Sequence, residues 1–138
     1  MTSLLTKLEP CDVEPDDPQL EEMIRDTRAK YHLEPRNRML ERAQKWYGMR
    51  DGDRLVAAVG ESRSHYGLEV TDCYQDNSRE GTTAVYTMLL GYYEMLQRGE
   101  IDNLVHTCLF ENVEMWEAVR KVTGDNPAAL LFVHKRKG

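Results

Sequence analysis

The sequence predicts an α/β (α+β) domain with one mixed central β-sheet flanked by helices, in the order β-α-α-β-β-β-α-β-α-β. Three observations lead to this prediction. A long stripe of apolar residues at helical spacing lies between two short apolar strands. Further upstream, an Asp-Gly dipeptide separates two strand-like segments, as in a β-hairpin. The 138 residues can bury one core, and a single domain over residues 1–138 is expected.

The first three predicted elements are a strand and two helices. Alternating side chains over Ser3–Leu8 predict a short strand. Asp17 followed by proline has the form of a helix N-cap with proline in the first turn, so Pro18–Tyr31 is predicted to be an amphipathic helix. A second, shorter helix is predicted to begin at Pro35. Its apolar face would consist of Met39, Leu40 and Ala43.

A β-hairpin is predicted next. The strands Trp46–Met49 and Arg54–Gly60 flank Asp51-Gly52, a dipeptide that accepts the positive φ angles of a tight turn. The centre of the second strand, Leu55–Val59, is uniformly apolar, which is typical of a strand in the middle of a sheet.

The clearest pattern is a strand, a polar loop and a long helix. The strand is predicted over Leu68–Tyr74, the loop over Gln75–Gly81 and the helix over Thr82–Arg98. The apolar stripe of this helix consists of Val85, Met88, Leu89, Tyr92, Met95 and Leu96. A glycine-containing turn between a strand and a helix N-terminus can hold a pyrophosphate, because free backbone N–H groups and the helix dipole both point at the anion.

The C-terminal third is predicted to contain three further elements. A strand over Leu104–Leu109 is followed by an Asn-led helix, Asn112–Val122, which ends at Gly124. Leu130–His134 is predicted as the last strand.

The composition is that of a globular protein and argues against some functions. A net charge of −6 argues against specific or non-specific nucleic-acid binding as the main role. The apolar runs are too short to span a membrane, and the N-terminus lacks the apolar core of a signal peptide. Charge is unevenly distributed: Glu9–Glu22 is acidic without any Lys or Arg, and the chain ends in a basic tail, Lys135–Lys137. Both regions are interpreted either as solvated surface or as docking surfaces for a partner.

Cysteine and histidine spacing predicts no metal site. The three cysteines (Cys11, Cys73 and Cys108) form no Cys-x-x-Cys pair, and the histidines show no spacing typical of metal ligands. Cys73 and Cys108 fall in predicted strands, where they are expected to act as small apolar groups. This cysteine usage is typical of a reducing compartment, so a cytoplasmic location is expected.

The order and lengths of these elements resemble the GCN5-related N-acetyltransferase (GNAT) fold over Ser3–Lys135. The best local matches are the hairpin Tyr47–Ala57 and the block Leu109–Asn112. In that family, the fourth strand and the third helix carry acetyl-CoA. Its pyrophosphate lies on a loop of pattern Arg/Gln-x-x-Gly-x-Gly/Ala, which the resemblance places at Ser78–Thr83.

The resemblance implies a set of acetyl-CoA-binding residues: Ser78, Arg79, Gly81, Thr82, Thr83 and Asn112. Ser78 replaces the family's Arg or Gln, and the β-branched Thr83 replaces the small closing residue. Glu80 adds a carboxylate beside the expected anion, and the repulsion between these like charges would work against the attraction of the helix dipole for the anion. In the last helix, Val119 stands where the family commonly has a proton-donating tyrosine. We therefore interpret the acetyl-CoA site as degenerate.

An active transferase would need a general base to deprotonate the attacking amine. The candidates are Glu69 and Asp72 on the fourth strand. Because side chains alternate along a strand, the two are predicted to lie on opposite faces, so that at most one points at the substrate. His106 on the next strand is a further candidate. The alternative for each residue is a hydrogen-bonded polar group without a catalytic role.

Two functional hypotheses follow from the sequence. The favoured one is a non-catalytic structural or binding component without a cofactor, which assembles with other protein subunits. In size and in its degenerate loop, the chain is similar to GNAT-like internal virion and assembly proteins of short-tailed bacteriophages. This resemblance implies a location in the host cytoplasm or the virion. The alternative is an acetyl-CoA-dependent N-acetyltransferase that acts on a primary amine by direct attack.

Overall fold

The computed structural model describes residues 7–65, 67–106 and 121. The chain divides after His106 into two compact units, residues 1–106 and 107–138. The predicted helix Asn112–Val122, except Lys121, and the predicted strand Leu130–His134 lie outside the described residues. The single domain over residues 1–138 therefore stays a prediction.

Within the described residues, the sheet has five strands in the order β1-β2-β3-β4-β5. The strands are β1 (Leu8–Val13), β2 (Lys45–Asp51), β3 (Arg54–Ser64), β4 (Gly67–Gln75) and β5 (Leu104–His106). The first four are antiparallel neighbours, whereas β5 runs parallel to β4. A parallel pair needs a crossover connection, and here it is the helix α2 (Arg79–Gln97). The predicted mixed sheet flanked by helices is confirmed.

The first strand lies later in the chain than predicted. It covers Leu8–Val13 rather than Ser3–Leu8, of which residues 3–6 lie outside the described part. It includes Pro10, which has no N–H to donate. The described residues show β1 paired with β2 alone, and an edge position is where a sheet tolerates proline.

The predicted hairpin between β2 and β3 is confirmed. Asp51 pairs with Arg54 across a two-residue turn that starts at Gly52, whose φ is +63°. Glycine reaches this backbone conformation without steric cost. β3 continues to Ser64, past the predicted end at Gly60. Its central residues from Leu55 to Glu61 are all buried, as expected for a strand in the middle of the sheet.

Helix α1 (Pro18–Lys30) is confirmed and begins at a strong N-cap. Oδ1 of Asp17 accepts hydrogen bonds from the backbone N–H groups of Gln19 (2.8 Å) and Leu20 (3.3 Å). Oδ2 accepts one from the Arg50 guanidinium at 3.1 Å. Burial alone would raise the pKa of Asp17, but these hydrogen bonds outweigh it and lower the pKa below its usual value.

The predicted second amphipathic helix is wrong. Only a single 3-10 turn, Arg38–Leu40, forms after Pro35. The Asn37 side chain caps this turn by accepting a hydrogen bond from the Met39 N–H, and the backbone is extended again at Glu41. The turn leaves Met39 and Leu40 exposed, so the helical spacing of these apolar residues does not reflect a buried face.

The core has two clusters, one on each side of the sheet. On the α1 side, the buried residues are Val13, Leu20, Met23, Ile24, Trp46, Leu55 and Ala58. On the α2 side, Val59, Leu68, Val70 and Tyr92 form the second cluster, with Met88 and Met95 packed against it. The predicted apolar stripe of the long helix therefore faces the sheet. Glycine follows this helix as predicted, with a φ of +75° at Gly99.

A buried polar contact joins α2 to the middle of the sheet. The Tyr92 hydroxyl donates a hydrogen bond to Oε2 of Glu61 at 2.8 Å. Glu61 is 4% exposed, and its other oxygen accepts a hydrogen bond from Nε of Arg63 at 3.0 Å. Burial and the neighbouring carboxylate together raise the pKa of Tyr92, so its hydroxyl stays protonated and able to donate.

We expect Tyr92→Phe to lower the free energy of unfolding by about 1–3 kcal/mol, because a buried carboxylate oxygen loses its donor. Urea denaturation measures this effect. Tyr86→Phe is the matched control, since Tyr86 lies on the same helix but is 39% exposed. The control should change stability by less than about 0.5 kcal/mol. Equal effects of the two substitutions would contradict the role assigned to the Tyr92–Glu61 contact.

Candidate functional site

A β-bulge in β4 determines which side chains meet at the candidate site. The register between β3 and β4 shifts between the pairs Gly60–Asp72 and Glu61–Val70, which leaves Thr71 as an extra residue. Val70 consequently packs in the α2-side cluster, whereas Tyr74 packs against the α1-side cluster. A strictly alternating strand would put these two side chains on one face.

The bulge overturns the prediction that Glu69 and Asp72 lie on opposite faces. Glu69 forms an ion pair with Arg42, with 2.6 Å between Oε2 and Nη2. Arg42 also lines a cleft together with Asp72 and Thr71. Because one additional residue separates them, both candidate carboxylates reach the side of the sheet where Arg42 lies.

This cleft, which we call the charged cleft, has a volume of about 450 Å³. It lies between the C-terminal part of α1, the segment 34–42 and the bulge of β4. Its basic lining residues are Arg28, Arg36 and Arg42, and its acidic lining residues are Glu34, Glu41 and Asp72. The volume lies within the range of about 300–1,000 Å³ that is typical of small-molecule sites.

Asp72 is the carboxylate on the sheet side of the charged cleft. Its Oδ2 accepts a hydrogen bond from the Thr71 hydroxyl at 2.9 Å. Burial raises the pKa of Asp72 above its usual value, and Glu41 adds to the increase, against the opposing effect of Arg42 and Arg28. A Cβ at Gly60 would lie 3.3 Å from this same oxygen and 2.8 Å from the Ala43 Cβ. The glycine therefore allows Asp72 and the segment 34–42 to approach β3 closely.

Arg36 fixes the segment 34–42 to the rest of the unit. Its guanidinium contacts Oε1 of Glu21 at 2.6 Å and forms a bidentate pair with Glu41. It also lies over the Trp46 ring, 5.6 Å from the ring centroid. The Glu41 hydrogen bonds raise the pKa of Arg36, and the side chain is only 9% exposed. Bidentate pairing and ring contact of this kind suit arginine specifically.

The start of α2, where the resemblance places the pyrophosphate, is capped by side chains of the loop that precedes it. The helix begins at Arg79, three residues earlier than predicted, with Ser78 as its N-cap. Oγ of Ser78 accepts a hydrogen bond from the Gly81 N–H at 3.0 Å. Asp76 in turn accepts hydrogen bonds from the N–H and the hydroxyl of Ser78. The Thr82 N–H donates to the Ser78 carbonyl at 3.2 Å. The N–H groups of Gly81 and Thr82 are therefore already bonded within the protein.

Close packing leaves no space beside Gly81. A Cβ at this position would lie 2.5 Å from Oδ1 of Asp76 and 2.9 Å from the Val56 carbonyl oxygen. Val56 is the extra residue in a second register shift, between β2 and β3. Its carbonyl also accepts a hydrogen bond from the Asp76 N–H at 2.9 Å. The glycine thus serves the contact between the helix start and the sheet.

Acidic and basic side chains lie close together at this helix end and partly cancel each other's charge. Glu80 lies in the first turn, where a carboxylate complements the helix dipole. Arg54 lies between the two nearby carboxylates, with guanidinium nitrogens 3.6 Å from Glu80 and 3.7 Å from Asp76. Arg79 is exposed.

The structure brings some of the predicted site residues together. Ser78, Gly81 and Thr82 meet at the start of α2. Thr83 follows in the same helix, and its carbonyl accepts a hydrogen bond from the Thr87 hydroxyl. His106 lies half-buried at the end of β5. Asn112, Val119 and Cys108 lie outside the described residues.

Several residues of the site were not predicted from the sequence. Asp76 could have been found, because an Asp two residues before a Ser that leads a helix is typical of a side-chain-capped turn. The arginines of the charged cleft offered no such signal, since they come from separate segments of the chain.

Neither described helix is long and apolar enough to cross a membrane. Among the described residues there is no group of three or more His, Cys, Asp or Glu side chains suited to a metal ion. Cys73 lies against the α2-side cluster, and burial raises the pKa of its thiol to about 12. A thiol with this pKa is protonated at neutral pH and is a poor nucleophile.

No protein-family model and no curated protein sequence matches the chain. Solved structures do match it. An aminoglycoside acetyltransferase, meta-AAC0020, from an uncultured soil metagenomic sample has a TM-score of 0.63 and 10% identity, covering 98% of this chain and 100% of that one. An integron cassette protein from V. cholerae has a TM-score of 0.64 and 10% identity, covering 96% and 93%.

The GNAT family protein SP0256 from Streptococcus pneumoniae has a TM-score of 0.52 and 14% identity, covering 93% of this chain and 99% of that one. At such low identities, similarity concerns the fold alone. The chain therefore has the fold of the GNAT acetyltransferases.

Proposed function

We propose that this GNAT-fold protein is a non-catalytic binding or structural component whose acetyl-CoA site is closed. The observation that carries the proposal is the capped start of α2. There, Oγ of Ser78 accepts a hydrogen bond from the Gly81 N–H, and Asp76 fills the space beside Gly81. The setting suggested by the sequence resemblance is a bacteriophage virion or assembly complex, with other protein subunits as partners.

A pyrophosphate at this helix end would meet two obstacles. It would have to replace the Ser78 hydroxyl at a backbone N–H that is already satisfied. It would also approach the carboxylates of Asp76 and Glu80, which Arg54 neutralises only in part. Two like charges at 4 Å repel by about 4 kcal/mol near a protein surface. The attraction of a helix N-terminus for an anion is about 0.3–1 kcal/mol. The residues present therefore do not fit the cofactor's pyrophosphate.

A role in protein assembly gives the acidic segment Glu9–Glu22 a purpose, although the structure shows that part of it has internal partners. Asp17 caps α1, and Glu21 pairs with Arg36. Glu9, Asp12, Glu14, Asp16 and Glu22 are exposed. These five carboxylates are the part of the segment that can meet a basic partner. The basic tail, Lys135–Lys137, lies outside the described residues.

Calorimetric titration with acetyl-CoA tests the closed site. We expect no binding heat at ligand concentrations up to about 1 mM, because the pyrophosphate would have to displace the Ser78 hydroxyl and approach two carboxylates. A dissociation constant of about 1 mM corresponds to a binding free energy of about −4.1 kcal/mol. Two first-turn charge reversals, Glu80→Lys and Arg79→Glu, serve as matched controls. Both should behave like the original chain if no pyrophosphate binds there. Micromolar binding that Arg79→Glu weakens and Glu80→Lys strengthens would contradict the proposal.

A second candidate function, N-acetyl transfer to a primary amine, is favoured by one observation. Asp72 places a partly desolvated carboxylate of raised pKa on the wall of the charged cleft. A general base works best when its pKa approaches the working pH, and an amine in the cleft could give a proton to Oδ2. Glu69 is less suited to this role, since its carboxylate is paired with Arg42.

The two functions make different predictions for Asp72→Asn. In a transferase, this variant should lose at least about 100-fold in acetyl transfer, whereas Glu69→Gln should change it much less. In a non-catalytic protein, neither variant has activity to lose. A coupled thiol-release assay over a panel of amines, run on both variants and the original chain, distinguishes the two cases.

Stability gives a second readout for Asp72. Because its pKa is raised in the folded state, folding takes up protons, and the stability that Asp72 contributes falls as the pH rises through the raised value. Asp72→Asn should therefore unfold at higher urea concentration than the original chain at pH 7. The difference should disappear below about pH 3, where the carboxyl is protonated in both states. A less stable variant at pH 7 would contradict the assigned pKa.

A further inference from the structure

Two large apolar side chains project from the 3-10 turn beside the charged cleft. Met39 is 93% exposed and Leu40 is 76% exposed, more than any other large apolar residue that the structure describes. The turn that carries them is held in place, because Asn37 caps it and Arg36 anchors the segment to Glu21 and Glu41. We call Met39 and Leu40 the knob.

A groove of suitable character lies elsewhere on the same unit. Its volume is about 530 Å³, and it lies between β1, β2 and the middle of α2. Most of its lining residues are apolar, and they include Pro10, Tyr47, Met49 and Met88. Thr87 lines the helix side. We call this surface the groove.

Opposite charges lie beside the two surfaces, although Lys45 also borders the groove, 4.8 Å from the centroid of the Tyr47 ring. Asp12 lines the groove and is exposed, and Glu9 on the same strand is exposed as well. Arg38 precedes the knob, is exposed, and forms no ion pair within the described part of the chain. With a net charge of −6, two copies repel each other at long range. Local complementarity of this kind would select one relative orientation.

The knob and the groove lie on different faces of the sheet. Leu40 lines the charged cleft on the α1 side, next to β4, whereas the groove lies next to β1 under α2. One molecule cannot place its own knob in its own groove. We propose that the knob of one copy binds in the groove of a second copy. Because the two surfaces differ, the contact is heterologous and can repeat from molecule to molecule. It is independent of the acetyl-CoA question, since neither surface includes the start of α2.

Sedimentation velocity from about 1 to 300 μM tests this proposal. The mean mass of the original chain should rise with concentration. The double variant Met39→Ser/Leu40→Ser, which alters only exposed side chains, should associate at least about tenfold more weakly. Thr87→Lys should do the same by placing in the groove a charged side chain of the same sign as Arg38. Val105→Thr is the matched control at a 50% exposed apolar position and should leave association unchanged.

A mixing experiment separates this arrangement from a symmetric dimer. The knob variant keeps an intact groove, and the groove variant keeps an intact knob. Each should be monomeric alone, whereas an equal mixture should form a dimer that cannot grow further. Circular dichroism confirms that each variant is folded. A monomeric original chain over the whole range would overturn the proposal, as would unchanged association in the two variants or a mixture that stays monomeric.

Discussion

The additional residue at Thr71 is the constraint on which the described unit depends. Because the strand gains one residue opposite Gly60, the apolar side chains before the bulge serve the α2-side cluster, while Tyr74 after it serves the α1-side cluster. The same displacement directs Asp72 into the charged cleft. One backbone irregularity thus supports both core clusters and shapes the charged cleft beside β4. A regular strand in this place would have to give up one of these roles.

Much of the fold could be predicted from short-range signals. Asp17-Pro18 and Asp51-Gly52 each have a local backbone requirement that few other residues meet, and both predictions are confirmed. The long helix was recognised from its apolar stripe, which the structure places against the sheet. Features that depend on pairing with a neighbouring strand could not be predicted from the sequence of one strand alone. The bulge at Thr71 leaves no trace in the alternation of β4, because its cause lies in the pairing with β3.

The candidate site was less predictable than the fold, for reasons that concern side-chain contacts. Helix α2 begins three residues earlier than predicted, because Ser78 is its N-cap. Arg54, from the hairpin between β2 and β3, also reaches this helix end. The charged cleft is assembled from α1, the 3-10 turn and β4, and its arginines carry no common motif. The apolar spacing of Met39, Leu40 and Ala43 was misleading, because a helical period over nine residues also fits a single turn. In this unit, the helix start is capped by Ser78, and the charged cleft has a volume of about 450 Å³.

Pro10 lies in β1, the outermost strand at one side of the sheet among the described residues, and this has a consequence for backbone pairing at that edge. A neighbouring chain that adds its backbone to this edge would lose a ladder hydrogen bond at the proline. Growth of a continuous intermolecular sheet from β1 is therefore disfavoured in the folded state. Molecules that associate near this edge would do so through side-chain contacts, and such complexes dissociate on dilution. The proline that helps to line the groove thus also makes backbone pairing at this edge of β1 less favourable.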